Sequence, residues 1–139
     1  MIMKQEQKNL LMKDLCARLP YGVKISIDDD FPIVLNQISY SDGYVGKNNE
    51  CYSLDHFVIK PYLFPLSSMT VEQEKELNKI YSDEADLIAE HLKSDISGNV
   101  HTHRFNHHLS LNWYLKNHFD INGLIPMGLA NDATGLNIY

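Results

Sequence analysis

Four histidines lie within eight residues of this chain, at positions 101, 103, 107 and 108. Imidazole is the side chain that most often binds transition metals in proteins. In an extended segment, His101 and His103 would face the same side, because side chains alternate with a period of two. This spacing makes His101, His103 and His107 candidate ligands for Zn, Cu or Ni. A solvated polar loop explains the same residues, since no cysteine is near and Arg104 would repel a cation, so both interpretations stay open.

A second pair of candidate groups lies on a predicted helix. At 100° per residue, Glu84 and His91 fall on one face, two turns apart. The apolar residues of that same face are Leu77, Tyr81, Ile88 and Leu92. A carboxylate and an imidazole on a buried face could form an acid–base pair or half of a metal site. Ordinary polar groups satisfied by neighbouring elements are the alternative.

Four of the eight tyrosines indicate a different kind of site, namely a binding surface. Tyr40, Tyr44, Tyr52 and Tyr62 lie in or beside a run of predicted short strands. Small β-barrels that bind extended peptides use aromatic-lined grooves of this kind. Tyrosine is also an ordinary strand residue, so simple packing remains the alternative.

The two cysteines do not suggest catalysis. Cys16 lies among the core positions of a predicted helix, and Cys51 lies in a predicted strand five residues before His56. A separation of five residues puts Cys51 and His56 on opposite faces of a strand, which disfavours a cysteine–histidine pair. We expect two reduced, partly buried thiols. The glycines are scattered without the spacing of a phosphate-binding loop, and we expect no cofactor.

Charge disfavours nucleic acid as a partner. The 139 residues carry a formal net charge of -6, with ten acidic and five basic side chains in residues 62–139. A nucleic-acid-binding protein needs clustered cations, and the sequence has no basic stripe. An acidic helical half could instead block a protein that binds nucleic acid, which is a further alternative. The sequence shows neither a signal peptide nor an apolar run of membrane-spanning length, so we expect a cytoplasmic protein.

The elements that would hold these residues predict a single α+β domain over residues 1–139. An amphipathic pattern predicts a helix over residues 4–18, stopped by Pro20 and the following Gly22. Alternating apolar residues and turn signals predict four or five short strands in residues 21–62, forming a small antiparallel sheet or SH3-like barrel. One of these strands is predicted over residues 32–40, after a charged turn at residues 28–30.

Thr70 and Gln73 form a capping-box pattern that starts a long helix, and the helical part runs over residues 66–130. Ser110 is the predicted cap of a shorter helix that runs to Asn117.

Three stretches of the chain resemble a family of small uncharacterised proteins from gut bacteria and their phages or other mobile elements. They are residues 14–24 (DLCARLPYGVK), 59–70 (IKPYLFPLSSMT) and 113–125 (WYLKNHFDINGLI), about a quarter of the chain. The resemblance implies a mobile-element origin and no activity. The histidine-rich segment lies outside all three stretches.

Together these observations favour a non-enzymatic protein-interaction or accessory protein, whose partner is another protein. The first alternative is a metal-binding protein or metal-dependent hydrolase that uses the histidine cluster. The second is an acidic protein that blocks a nucleic-acid-binding partner. The oligomeric state stays open.

Overall fold

A computed structural model of the chain describes residues 3–39, 43–47, 50–96 and 108–139. The first helix, α1 (Gln5–Arg18), is followed by a short 3₁₀ turn (Leu19–Tyr21) and by Gly22 at φ 70°. That left-handed conformation suits glycine and ends the helix where the sequence predicted. Leu11 and Leu15 are buried on α1, as their spacing indicates.

The described residues contain seven short strands in two sheets. They are β1 (Lys24–Ile27), β2 (Ile33–Val34), β3 (Gln37–Ser39), β4 (Tyr44–Lys47), β5 (Glu50–Ser53), β6 (Ile59–Leu63) and β7 (Asn131–Asp132). The first sheet has the order β2-β1-β6-β7, and the second has the order β3-β4-β5. All pairs are antiparallel except β6 with β7.

The expected α+β class, with an N-terminal helix, small antiparallel sheets and further helices, is confirmed. The predicted strand over residues 32–40 is two strands, and these belong to different sheets. The barrel stays a prediction, since the strand pairings found in the described residues define two separate sheets.

The helices of the second half are α2 (Val71–Ile96) and α3 (His108–Lys116), after a 3₁₀ turn at Leu66–Ser68. The capping box is confirmed: the Thr70 N–H donates to Gln73 Oε1 at 2.9 Å, and the Gln73 N–H donates to Thr70 Oγ1 at 3.2 Å. Helix α3 begins at His108, so the predicted start at Ser110 is wrong.

Two compact units make up the chain. One comprises Met1–Ser68 with Leu115–Tyr139, and the other comprises Met69–Tyr114. The segment after α3 therefore belongs with the sheets, although the sequence placed residues up to 130 in the helical part. A single apolar core in the first unit joins α1, both sheets and the 124–130 segment. In the second unit Leu77 and Trp113 are buried, and the Trp113 indole N–H donates to Glu76 Oε1 at 2.9 Å.

Candidate functional site

Of the tyrosines predicted to bind a partner, the two whose side chains the structure describes lie in different sheets. Tyr52 is in β5, and Tyr62 is in β6. Tyr52 is half-buried, and its ring packs edge-on against Phe57 at 5.2 Å. Its hydroxyl donates to Glu50 Oε2 at 2.8 Å. The side chain of Tyr52 thus already has partners within its own unit, as the packing alternative expects.

The other two tyrosines and the predicted polar pair are only partly described. Tyr40 lies outside the described residues, and for Tyr44 only the backbone in β4 is described, where it pairs with Ser53. Glu84 and His91 lie in α2, but their side chains fall outside the part that the structure describes. Their roles remain predictions.

The histidines proposed as metal ligands, His101, His103 and His107, also lie outside the described residues. Among the residues that are described, no group of three His, Cys, Asp or Glu side chains could hold a metal ion. The metal hypothesis therefore stays a prediction about residues 101–108 alone.

Both cysteines are free, and both are exposed. The expectation that they are partly buried is wrong for each. Cys16 lies beside Leu15 in α1 but points away from the face that Leu11, Leu15 and Arg18 bury. The helical spacing correctly predicted that Leu11 and Leu15 are buried on one face of α1. It wrongly placed Cys16 on that buried face.

A tight turn connects β1 to β2 and carries three aspartates. Its two central residues, Asp28 and Asp29, have φ angles of 52° and 61°. The Asp30 N–H donates to the carbonyl of Ile27 at 3.1 Å, which closes the turn. Positive φ at both central positions is typical of type I′ hairpin turns. Asp tolerates this conformation better than most residues, because its short side chain can bond to nearby backbone.

Two hydrogen bonds fix this turn to the residue that precedes β6. The Asp28 N–H donates to the Val58 carbonyl, and the Val58 N–H donates to Asp28 Oδ1, both at 2.8 Å. The Phe31 N–H donates to Asp30 Oδ1 at 2.9 Å. These hydrogen bonds tie the backbone of the 28–31 turn to the start of β6.

This turn presents an aromatic side chain to solvent. Phe31 is 83% exposed, the highest value among the large hydrophobic side chains that the structure describes. Val58, which is hydrogen-bonded to Asp28, is 49% exposed, and Val34 in β2 is 40% exposed. Apolar side chains are often exposed singly, but a highly exposed aromatic ring on a hydrogen-bonded turn is a candidate interaction site. We call Phe31, Val34 and Val58 the sheet-end surface.

A groove opens next to Val58. Its volume is about 570 Å³, and its apolar lining consists of Met3, Leu54, Phe57, Val58, Ile59 and Leu129. Asp55, His56 and Lys60 also line it. Asp55 is paired with Lys8 at 2.9 Å, whereas Lys60 forms no ion pair with any carboxylate in the described residues. We call it the sheet-end groove; its lining is mixed, with apolar side chains beside polar ones and one lysine that has no ion pair in the described residues.

The first unit also contains a cluster of buried polar side chains. Arg18 Nε donates to Asp14 Oδ2 at 2.7 Å, and both side chains are fully buried. Arg18 Nη2 also donates to the Phe119 carbonyl at 2.6 Å, and Asn122 donates to Asp14 Oδ1 at 2.8 Å. This buried polar cluster joins α1 to the segment after α3. It has the character of a structural link, because most of its polar groups bond to groups of other chain segments, although Arg18 Nη1 is buried without a hydrogen-bond partner.

His118 lies beside this cluster, at a φ of 63°. Burial, helped by the charges of Arg18 and Lys24, lowers the pKa of His118 to about 4. Its ring stacks on Tyr139, with centroids 3.7 Å apart. The Tyr139 hydroxyl accepts a hydrogen bond from the Lys24 N–H and donates one to the Tyr62 carbonyl, both at 2.8 Å. His118 is therefore neutral near pH 7 and packed between protein groups.

Neither the buried Asp14–Arg18 pair nor the exposed ring of Phe31 was predicted from the sequence. The positions of the buried pair did carry a signal, since Asp14 and Arg18 stand three and seven residues after Leu11, on the helix face that Leu11 and Leu15 define. For Phe31 the sequence predicted the aspartate turn but gave no sign that the next residue is exposed.

No protein-family model matches the chain, and comparisons with curated proteins and with solved structures gave no match. None of the helices in the described residues combines the length and the apolar character needed to cross a bilayer.

Proposed function

We propose that this chain is a non-enzymatic protein-binding or accessory protein of mobile-element origin, and that it binds its partner through the sheet-end surface. The observation that carries the proposal is Phe31, which is 83% exposed on a turn fixed by hydrogen bonds. A residue whose backbone is already hydrogen-bonded in a turn loses less freedom on binding than one on an unconstrained segment, so more of the gain from its burial becomes affinity.

The chemistry of this surface suits recognition. Phe31, Val34 and Val58 are apolar, and such residues contribute contact area without taking part in reactions. Burying one phenylalanine side chain stabilises a complex by about 1.5–3 kcal/mol. Each 1.4 kcal/mol corresponds to about a tenfold change in the dissociation constant. Removing the ring of Phe31 should therefore weaken binding roughly 10- to 100-fold.

Affinity capture from cells of the source organism tests the proposal, with the purified chain as bait. Wild type is compared with Phe31→Ser and with Leu66→Ser. Leu66 is 48% exposed in the same unit, in the 3₁₀ turn before α2, and so serves as a matched control. We expect the captured partner to be lost with Phe31→Ser and retained with Leu66→Ser. Equal capture by the wild type and Phe31→Ser would exclude this surface.

A third arm tests the tyrosine surface that the sequence indicated. Tyr44→Ala combined with Tyr52→Ala should leave capture unchanged if the sheet-end surface is the binding site. Loss of the partner in this variant alone, with the fold intact by circular dichroism, would move the site to the β3-β4-β5 sheet.

A further inference from the structure

We infer that the sheet-end groove of one copy takes the 28–31 turn of a second copy, so that the protein forms a weak homodimer. This inference rests on the proposed function, because it assigns a partner to the same Phe31 surface. Both halves of the contact lie in the first unit, and both are described residues.

The groove is large enough to receive the exposed ring of the turn. Phe31 projects from its turn and is 83% exposed. The groove has a volume of about 570 Å³, which falls in the range of pockets that enclose small ligands and is ample for one phenyl ring. Leu54, Phe57 and Leu129 contribute apolar lining that a phenyl ring can contact.

The charges are complementary as well. The turn carries the carboxylates of Asp28, Asp29 and Asp30, all of which are exposed. The groove carries Lys60, which has no ion pair with a described carboxylate, while Asp55 is already paired with Lys8. An acidic turn entering this groove would bring opposite charges together, which favours the correct orientation of two copies.

Val58 connects the turn and the groove within each copy. It exchanges hydrogen bonds with Asp28, and it also lines the groove. Because the projecting ring and the groove are neighbours, a two-fold axis near Val58 would place each turn beside the groove of the other copy. Such a contact is isologous and closes at two copies.

The contact is small, so the dimer should be weak. Only a few apolar side chains on each copy are available at this end of the sheet, which places the interface at the low end of specific protein–protein contacts. We expect a dissociation constant on the order of 10–1000 μM.

Sedimentation velocity of the purified chain, at about 5 to 500 μM, covers most of this range. The wild type should shift from monomer towards dimer as concentration rises. Phe31→Ser should remain monomeric throughout, and Leu66→Ser should behave as the wild type. A wild type that stays monomeric at the highest concentration, or a Phe31→Ser variant that dimerises equally well, overturns the inference.

A charge exchange tests the orientation. Asp29 is chosen because Asp28 and Asp30 use their carboxylates to hold the turn. Asp29→Lys and Lys60→Glu should each weaken the dimer at least about threefold at low salt, where screening is small. The double variant should return to within about twofold of the wild type, because it restores the opposite charges. A double variant no better than either single one contradicts the proposed contact.

The two proposals fail separately. If the wild type is monomeric but still captures another protein through Phe31, then the dimer is excluded and the proposed function stands. If Phe31→Ser changes neither dimerisation nor partner capture, then both the homodimer contact and binding through the sheet-end surface are excluded.

Discussion

Arg18 donates from Nε to the Oδ2 oxygen of Asp14 at 2.7 Å, and neither side chain has any exposure to solvent. Burial of two charges is costly unless their remaining donors and acceptors are also satisfied. Here the Phe119 carbonyl and the Asn122 amide satisfy most of them. The pair thus connects α1 to the segment after α3, two parts of the chain separated by about a hundred residues.

Breaking this pair should strongly destabilise the first unit. Arg18→Ala leaves the Asp14 carboxylate buried without its cation, and we expect the free energy of unfolding to fall by about 3–5 kcal/mol. Lys8→Ala is the matched control, because Lys8 and Asp55 form a partly exposed ion pair of 2.9 Å. That pair should contribute less than about 1 kcal/mol. Urea unfolding followed by circular dichroism compares them, and equal losses would contradict a stabilising role for the buried pair.

His118 should make stability depend on pH between about 4 and 6.5. Its pKa in the folded chain is lowered to about 4 from the ordinary value of 6.5. In that window the unfolded chain binds a proton that the folded chain does not, so stability should fall as the pH drops from 6.5 to 4. Because the ring is partly exposed, solvent screening reduces the effect, and we expect a loss of about 1–2 kcal/mol.

His118→Asn isolates this contribution. Asn does not titrate, and it tolerates the positive φ of this position. The difference in unfolding free energy between wild type and variant, measured by urea titration at several pH values, should shrink as the pH falls through this window. A difference that is constant across the window would show that His118 does not titrate as stated.

The Tyr139 hydroxyl should stabilise the first unit through its two hydrogen bonds, to the Lys24 N–H and the Tyr62 carbonyl. Tyr139→Phe removes both while keeping the ring that stacks on His118, and we expect a loss of about 1 kcal/mol. Tyr62→Phe is the control, because only the backbone of Tyr62 takes part in this contact. Thermal unfolding compares the two, and a larger effect of the control would contradict this assignment.

Thr70 should stabilise the start of α2. Thr70→Ala removes the side-chain oxygen that accepts the Gln73 N–H, which costs about 1 kcal/mol at a helix N-terminus. Thr70→Ser keeps that oxygen and should change stability little. The only tryptophan, Trp113, lies in the same unit, so its fluorescence reports the unfolding. Identical unfolding of Thr70→Ala and the wild type would show that the capping box contributes nothing.

The elements that sequence predicted best are those set by local physics. The capping box at Thr70 and the helix stop at Gly22 follow from the hydrogen-bonding and φ preferences of a few adjacent residues. The pairing of strands is less predictable, because residues 32–40 read as one strand while their partners lie in two different sheets. Pairing depends on contacts distant in sequence, which no local pattern specifies.

The exposure of residues at the candidate site also depends on contacts distant in sequence, so it could not be predicted from local patterns. The turn at Asp28 could be predicted from its aspartates, but the exposure of Phe31 depends on what the rest of the first unit leaves uncovered. Conversely, Cys16 has the apolar character of a core residue and is exposed. Asp14 and Arg18 have the character of surface residues and are buried, because each satisfies the other.

The buried polar cluster draws on two of the three sequence stretches that indicated a family resemblance, and that resemblance stays a prediction. Asp14 and Arg18 fall in residues 14–24, and His118 and Asn122 fall in residues 113–125. Phe31 lies outside all three stretches. From their contacts, we expect residues 14–24 and 113–125 to contribute to the stability of the first unit, and the sheet-end surface to contribute to binding.

Binding through the sheet-end surface is tested by the capture experiment with wild type, Phe31→Ser and Leu66→Ser as parallel baits. We expect one and the same partner to be recovered with the wild type and with Leu66→Ser, and its recovery to fall about tenfold or more with Phe31→Ser. Recovery of that partner at equal levels with all three baits would contradict the claim that the sheet-end surface binds it.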